Sequence, residues 1–266
     1  MSGTNMEDAS QTPLLREDVG GVATLTFNRP KQLNSFSEQM LEAFHDALDT
    51  IEHDRAVRVV VLAANGRAFS TGHDLKQVRA RPEEQYYREL FARSSQLMMR
   101  LQRLPQPVIA KVAGIATAAG CQLVATCDLA VASTEATFAV SGIKHGLFCS
   151  TPSVALSRNV SRKQAFEMLF TGEFIDADQA LARGLVNRVT APDQLDTALA
   201  ELTTSICAKP RVAVETGKRM FYEQIERDPS SAYQYATNVM AENMMAADAF
   251  EGVSAFLDKR PPEFGH

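Results

Sequence analysis

Two predominantly apolar runs constrain this chain more than any other feature. RVVVLAANG (58–66) and QPVIAKVAG (106–114) lack the alternation of a half-wet strand. Each therefore reads as a buried strand, and Asn65-Gly66 marks a turn after the first. Around them, VATLTFN (22–28) alternates like a half-buried strand until Arg29-Pro30 breaks it. SEQMLEAFHDALDTIEHD (37–54) has helical spacing with Ser37 placed to cap its start, and a second helical stretch covers 84 to 103. CDLAVAS (127–133) and ATFAVSG (136–142) read as short strands, and Thr151-Pro152 as the cap and first turn of a helix. From Ser161 the text turns mostly helical, with three long stretches between 192 and 258. The fold class is α/β, with a core over 18–200 and a helical region over 201–266. Residues 1–17 read as a disordered polar arm, and no internal sequence repeat stands out.

At 266 residues the chain is one large domain, or one domain with an appended piece. A net charge of −5 argues against a nucleic-acid partner, which needs clustered Lys and Arg, but leaves room for an anionic small molecule. Cys121, Cys127, Cys149 and Cys207 have no metal-type spacing and read as free thiols of a reducing compartment. The polar start has neither signal nor transit character, and no stretch reaches the roughly 18 apolar residues of a membrane span. A soluble, cytoplasmic protein with no membrane partner is the expectation.

Two loops carry the candidate chemistry. In FSTGHDLK (69–76), Gly72 permits a tight turn and Asp74 can cap the helix after it. The loop is either a plain strand-to-helix connection or one that points the His73 N–H into a cleft. In the segment TAAGCQLVATCDLA (117–130), Ala118, Ala119 and Gly120 let another group approach a helix start, where free N–H groups and the helix dipole favour negative charge. Close helix packing would need small residues equally. Taken together, two strand–loop–helix units about 45 residues apart could supply a two-donor oxyanion hole.

RAFSTGHDLK, VIAKVAGIATAAGCQLVATCDLAVAS and EMLFTGEFIDADQALARGLVNRV resemble the crotonase, or enoyl-CoA hydratase/isomerase, superfamily over about 20 to 260. GHDLK, ATAAGCQLVA and GLFCSTP resemble its branch called enoyl-CoA hydratase domain-containing protein three. The resemblance implies a crotonase-type spiral of ββα units and a C-terminal α-helical oligomerisation region that builds trimers, often paired into hexamers. It implies an acyl-CoA thioester whose carbonyl lies between the N–H groups of His73 and Ala119, in fatty-acid or related metabolism. Gly120 and the stretch His73, Asp74, Leu75 and Lys76 would line the ligand. Arg29 and Lys31, with Lys218 as a further candidate, would meet the CoA phosphates. Neither a metal nor a cofactor apart from the substrate's own coenzyme A is implied.

Hydratases of the family use two glutamates, and the resemblance places them at Gln122 and Gly142. Neither an amide nor a glycine exchanges a proton near pH 7, and acid–base help is worth on the order of 10²- to 10⁴-fold. Hydration is therefore expected to be weak or absent, and Gln122→Glu with Gly142→Glu to restore it. A non-catalytic acyl-CoA binder stays open, as does another enolate-type reaction, thioester hydrolysis or decarboxylation, with His73 as base. His73 is otherwise a solvent-facing loop histidine. Lys144 and His145 either reach the cleft rim or face water. Cys149, Ser150 and Thr151 are nucleophile types at a helix start, but Cys149 has no evident base and reads as a packed thiol.

Overall fold

The computed structural model describes residues 12–265. In chain order the elements are β1 (Leu14–Val19), β2 (Val22–Phe27), α1 (Glu38–Glu52), β3 (Val59–Ala64), β4 (Ala68–Ser70), α2 (Leu75–Ala80) and α3 (Glu84–Arg103). Next come β5 (Val108–Val112), β6 (Ile115–Thr117), α4 (Ala119–Thr126), β7 (Leu129–Ser133), β8 (Thr137–Ala139), α5 (Ser150–Asn159) and α6 (Arg162–Thr171). The remainder is β9 (Ile175–Asp176), α7 (Ala177–Ala182), β10 (Arg188–Thr190), α8 (Leu195–Cys207), α9 (Arg211–Ile225), α10 (Pro229–Met244) and α11 (Ala247–Leu257).

The strands form a six-stranded sheet in the order β1-β2-β3-β5-β7-β10 and a four-stranded one in the order β4-β6-β8-β9. Every pair after β1–β2 in the large sheet is parallel. A repeat absent from the letters is present in space. β3, β5 and β7 each give the large sheet one strand, their successors β4, β6 and β8 each give the small sheet one, and a helix follows each pair. This is the ββα spiral.

The apolar runs explain themselves here. Val60 and Leu62 of β3 face the main core with α1 and α3, whereas Val59 and Val61 pack with Ile109, Val131 and Leu195 on the other side. A strand covered on both faces has no reason to alternate. In α1, the Ser37 side chain accepts from the Met40 N–H at 3.1 Å, and Met40, Leu41, Phe44, Leu48 and Ile51 are buried at helical spacing. Phe27 meets Phe36, Phe44 and Phe69 edge-on at 5.5–5.9 Å between ring centres, beneath the two loops.

Several expectations need correction. Residues 14–17 of the expected arm belong to β1, which pairs antiparallel with β2. Residues 1–11 of that arm lie outside the described residues. The 200/201 boundary falls inside α8, whose first turn buries Leu195 against the sheet. α5 starts at Ser150 with Cys149 at its cap position, two residues earlier than Thr151-Pro152 suggests. β9 and β10 interrupt the helical tail, β10 extending the large sheet beside β7.

Candidate active site

Gly72 is where the two loops touch. Its φ is +85°, and a Cβ there would lie 2.9 Å from both the Ala118 Cβ and the Ala119 N. Gly120 is tighter still, because an added Cβ would come within 2.1 Å of the Ser70 carbonyl oxygen. The first turn of α4 thus rests directly on the end of β4, and small side chains are what allow it. Gly120→Ala is expected to destabilise the fold by about 3 kcal/mol, since a strand carbonyl cannot step aside as a flexible side chain can. Urea unfolding measures this directly; a loss below about 1 kcal/mol would show that the two elements can separate freely.

The loop around His73 is held on both sides. Thr71 N–H donates to Leu33 O at 3.2 Å, Phe36 N–H to Gly72 O at 2.7 Å, and Asp74 N–H to Phe36 O at 3.1 Å. Among the described residues, the N–H groups of His73 and Ala119 make no hydrogen bond. Ala119 opens α4, so its N–H has no partner within the helix and carries the positive end of the helix dipole. Ala118, before it, adopts φ 51° and ψ −121°, a conformation that disfavours any side chain. Strain held at this spot is typical of a site that aims its backbone. Two adjacent loops, each with an undonated N–H, can stabilise one developing oxyanion.

Asp74 is a structural cap. It accepts from the Lys76 and Gln77 N–H groups at the start of α2 and sits 3.7 Å from the Arg29 guanidinium. Arg29 also donates to Ser35 O at 3.3 Å and has a side chain only 11% exposed, so it is built into the loop support. Lys31, Leu75 and Lys76 are exposed. Lys218 contradicts the expectation of a phosphate ligand. Its ammonium is buried against Leu101 O, Gln106 O and Asp128, with no hydrogen left for a CoA phosphate.

The His73 side chain fits neither role expected of it, base or solvent-facing ring. Both ring nitrogens are shut from solvent without a partner, and Phe91 and Phe36 face the ring edge-on at 5.2 and 6.5 Å. Burial pushes its pKa down to about 4, so at pH 7 it is a neutral imidazole and a weak base. An unfolded chain takes up this proton near pH 6.5, whereas the folded chain refuses it until about 4. Between those values the unfolded state binds more protons, so stability is lost as pH falls. The loss approaches about 3 kcal/mol near pH 4. His73→Leu is expected to remove that slope in denaturation curves from pH 7 to 4; an unchanged slope would refute the assignment.

At the first carboxylate position, Gln122 is 4% exposed and its Oε1 lacks a partner. At the second there is no room: a Cβ on Gly142 would lie 2.5 Å from Leu147 O and 2.8 Å from Cys149 Sγ. The expected double restoration with glutamate therefore fails sterically at Gly142. Cys149 is a packed thiol, with burial raising its pKa, and nearby Cys121 is pushed up to about 12 for the same reason. His145 is exposed, and Lys144 lies 2.8 Å from Glu173. Sequence reasoning missed a cavity of about 1230 Å³ between α3, α4, α5 and α9, with Gln122 in its wall. Its residues come from four separated segments, so no local signal announces it.

The enoyl-CoA hydratase/isomerase family profile matches residues 17–266. The chain belongs to the crotonase family. This crotonase is 41% identical over 246 residues to enoyl-CoA hydratase domain-containing protein 3, mitochondrial, of Rattus norvegicus, covering 92% of this chain and 82% of the relative. The crystal structure of the human protein of that name is 40% identical, with TM-score 0.92 over 95% of this chain and all of that one. A Mycobacterium smegmatis enoyl-CoA hydratase structure is 60% identical, with TM-score 0.94 over 96% of this chain and 99% of the other. The branch resemblance seen in GHDLK and ATAAGCQLVA holds along the whole described crotonase fold.

Proposed function

We propose that this crotonase binds an acyl-CoA thioester with its carbonyl oxygen on the His73 and Ala119 N–H groups, and hydrates enoyl thioesters poorly or not at all. One observation carries this: Gly72, which precedes the undonated His73 N–H, packs against the undonated Ala119 N, while the carboxylate positions hold a neutral amide and a glycine with no space for a side chain. An enolate oxygen would be stabilised there, one such donor being worth roughly 3 kcal/mol in a transition state. No proton donor stands ready at either position. A non-catalytic acyl-CoA binder is the second reading, favoured by the filled corner at Gly142. Hydrolysis or decarboxylation driven by His73 as base loses support, because burial lowers its pKa to about 4, which makes the imidazole a weak base, and shuts both ring nitrogens from solvent.

Coenzyme A enters as part of the substrate, and no separate cofactor or metal is needed. Trimeric or hexameric assembly is supported by large apolar side chains left exposed on α10 and α11, among them Tyr233, Met240, Phe250 and Phe256. Four free thiols suit a reducing compartment such as the cytoplasm, and the rat relative's name places that protein in mitochondria. Calorimetry with butanoyl-CoA and with its S-butyl thioether, which lacks the carbonyl, tests the binding mode. Affinity at least tenfold higher for the thioester is expected. Equal affinities would remove the two amides from the account.

A further inference from the structure

Ala118 sits in a backbone state that an alanine leaves unless it is held. At φ 51° and ψ −121° its Cβ is crowded, and only glycine occupies that region freely. The peptide that follows Ala118 carries the Ala119 N–H, so this strain bears directly on the site. The Ala118 methyl also packs against Gly72, where an added Cβ would come within 2.9 Å of it. One residue therefore touches both loops. Any relaxation of Ala118 re-aims the Ala119 N–H and loosens the turn that presents the His73 N–H.

Three hydrogen bonds bracket this residue. On the helix side, the Gln122 N–H donates to Ala118 O at 3.0 Å and opens the ladder of α4. On the strand side, the Ala118 N–H donates to Ala139 O at 3.0 Å, just past the last β6–β8 pair, Thr117 with Ala139. The third bond joins side chains: the Thr117 and Ser141 hydroxyls lie 3.0 Å apart, one donating to the other. An alanine escapes a positive φ by turning the peptide before it, here Thr117–Ala118, which would break the bond to Ala139. The hydroxyl pair opposes that turn, because it ties Thr117 to the segment two residues beyond Ala139. Thr117 is only 8% exposed, so little water competes for the bond.

We propose that Thr117 and Ser141 are positioning residues of the oxyanion hole, their paired hydroxyls holding the strained Ala118 so that the Ala119 N–H stays aimed at the acyl oxygen. The proposal rests on the acyl-thioester reading given above and names what keeps its donors in place. Calorimetry on the full chain with butanoyl-CoA and its S-butyl thioether tests it, the ratio of the two affinities reporting the carbonyl contact alone. Thr117→Val, which keeps the shape and removes the hydroxyl, is expected to lower that ratio at least threefold. Ser141→Ala should do the same, and in both variants the thioether should bind within twofold of its affinity for the parent protein. Thr117→Ser, which keeps a hydroxyl, should retain the parent ratio. In an Ala118→Gly background, where a positive φ needs no support, Thr117→Val should change the ratio less than twofold. A ratio that neither Thr117→Val nor Ser141→Ala alters, even if both ligands weaken together, overturns the positioning role and leaves the carbonyl contact standing. A threefold loss that persists in the Ala118→Gly background also overturns it, because strain at Ala118 would not be what the pair restrains. A parent ratio near one would refute the thioester reading itself, and this role with it.

Discussion

Lys218→Met is expected to lower folding stability by about 3–5 kcal/mol, the cost of leaving a buried carboxylate without its cation. Lys218 donates to Leu101 O at 2.8 Å and Gln106 O at 2.9 Å and pairs with Asp128 at 2.7 Å. The two side chains are 5% and 17% exposed, so water cannot replace what the ammonium supplies. Burial lowers the lysine's pKa and Asp128 opposes that shift, which is how a charge persists in this position. Asp128 is committed elsewhere too, accepting from the Val108 N–H at 2.6 Å and from Tyr222. Urea denaturation of Lys218→Met measures the loss. The double variant Lys218→Met with Asp128→Asn should recover part of it by removing the stranded charge. A single-variant loss below about 1 kcal/mol would mean that solvent reaches the pair.

The second large effect concerns the empty acid positions. Gln122→Glu keeps the side chain's size and places a carboxyl in a buried spot with no partner at Oε1. Desolvation there would raise its pKa toward neutrality, the property a general acid needs. A gain in crotonyl-CoA hydration on the order of 10²-fold is expected, the low end for acid–base assistance. Adding Gly142→Glu should bring no further gain and should destabilise the protein by roughly 1–3 kcal/mol or more. The obstruction is the Leu147 carbonyl, which is backbone, together with Cys149 Sγ. A double variant as stable as the parent and faster than Gln122→Glu would show that segment 147–149 yields easily.

Much of this architecture was legible where local pattern and tertiary role coincide. β3 and β5 announce themselves because both faces are buried, and α3 runs over the very residues its periodicity marks. The short strands β4 and β6 were not legible, because three residues carry no period and sit inside loops of small side chains. β1 hid because five of its six residues face outward on a sheet edge, so LLREDV reads as polar. At the site, Gly72, Asp74 and Ala119 could be placed from loop chemistry and the family resemblance. Lys218 could not, since nothing in VETGKRMF says that the lysine turns inward. The same holds for His73, where a fold-level decision to bury the ring overrides the polarity of its loop, and for Gly142, whose missing side chain reflects a carbonyl five residues later.

The most direct test of the central claim mixes the purified protein with crotonyl-CoA, follows the conjugated enoyl absorbance, and measures affinity in parallel by calorimetry. Saturable binding with enoyl absorbance that stays constant, or decays orders of magnitude more slowly than with a two-glutamate hydratase, is the predicted result. Rapid loss of the absorbance, at a rate typical of a competent hydratase, would contradict it.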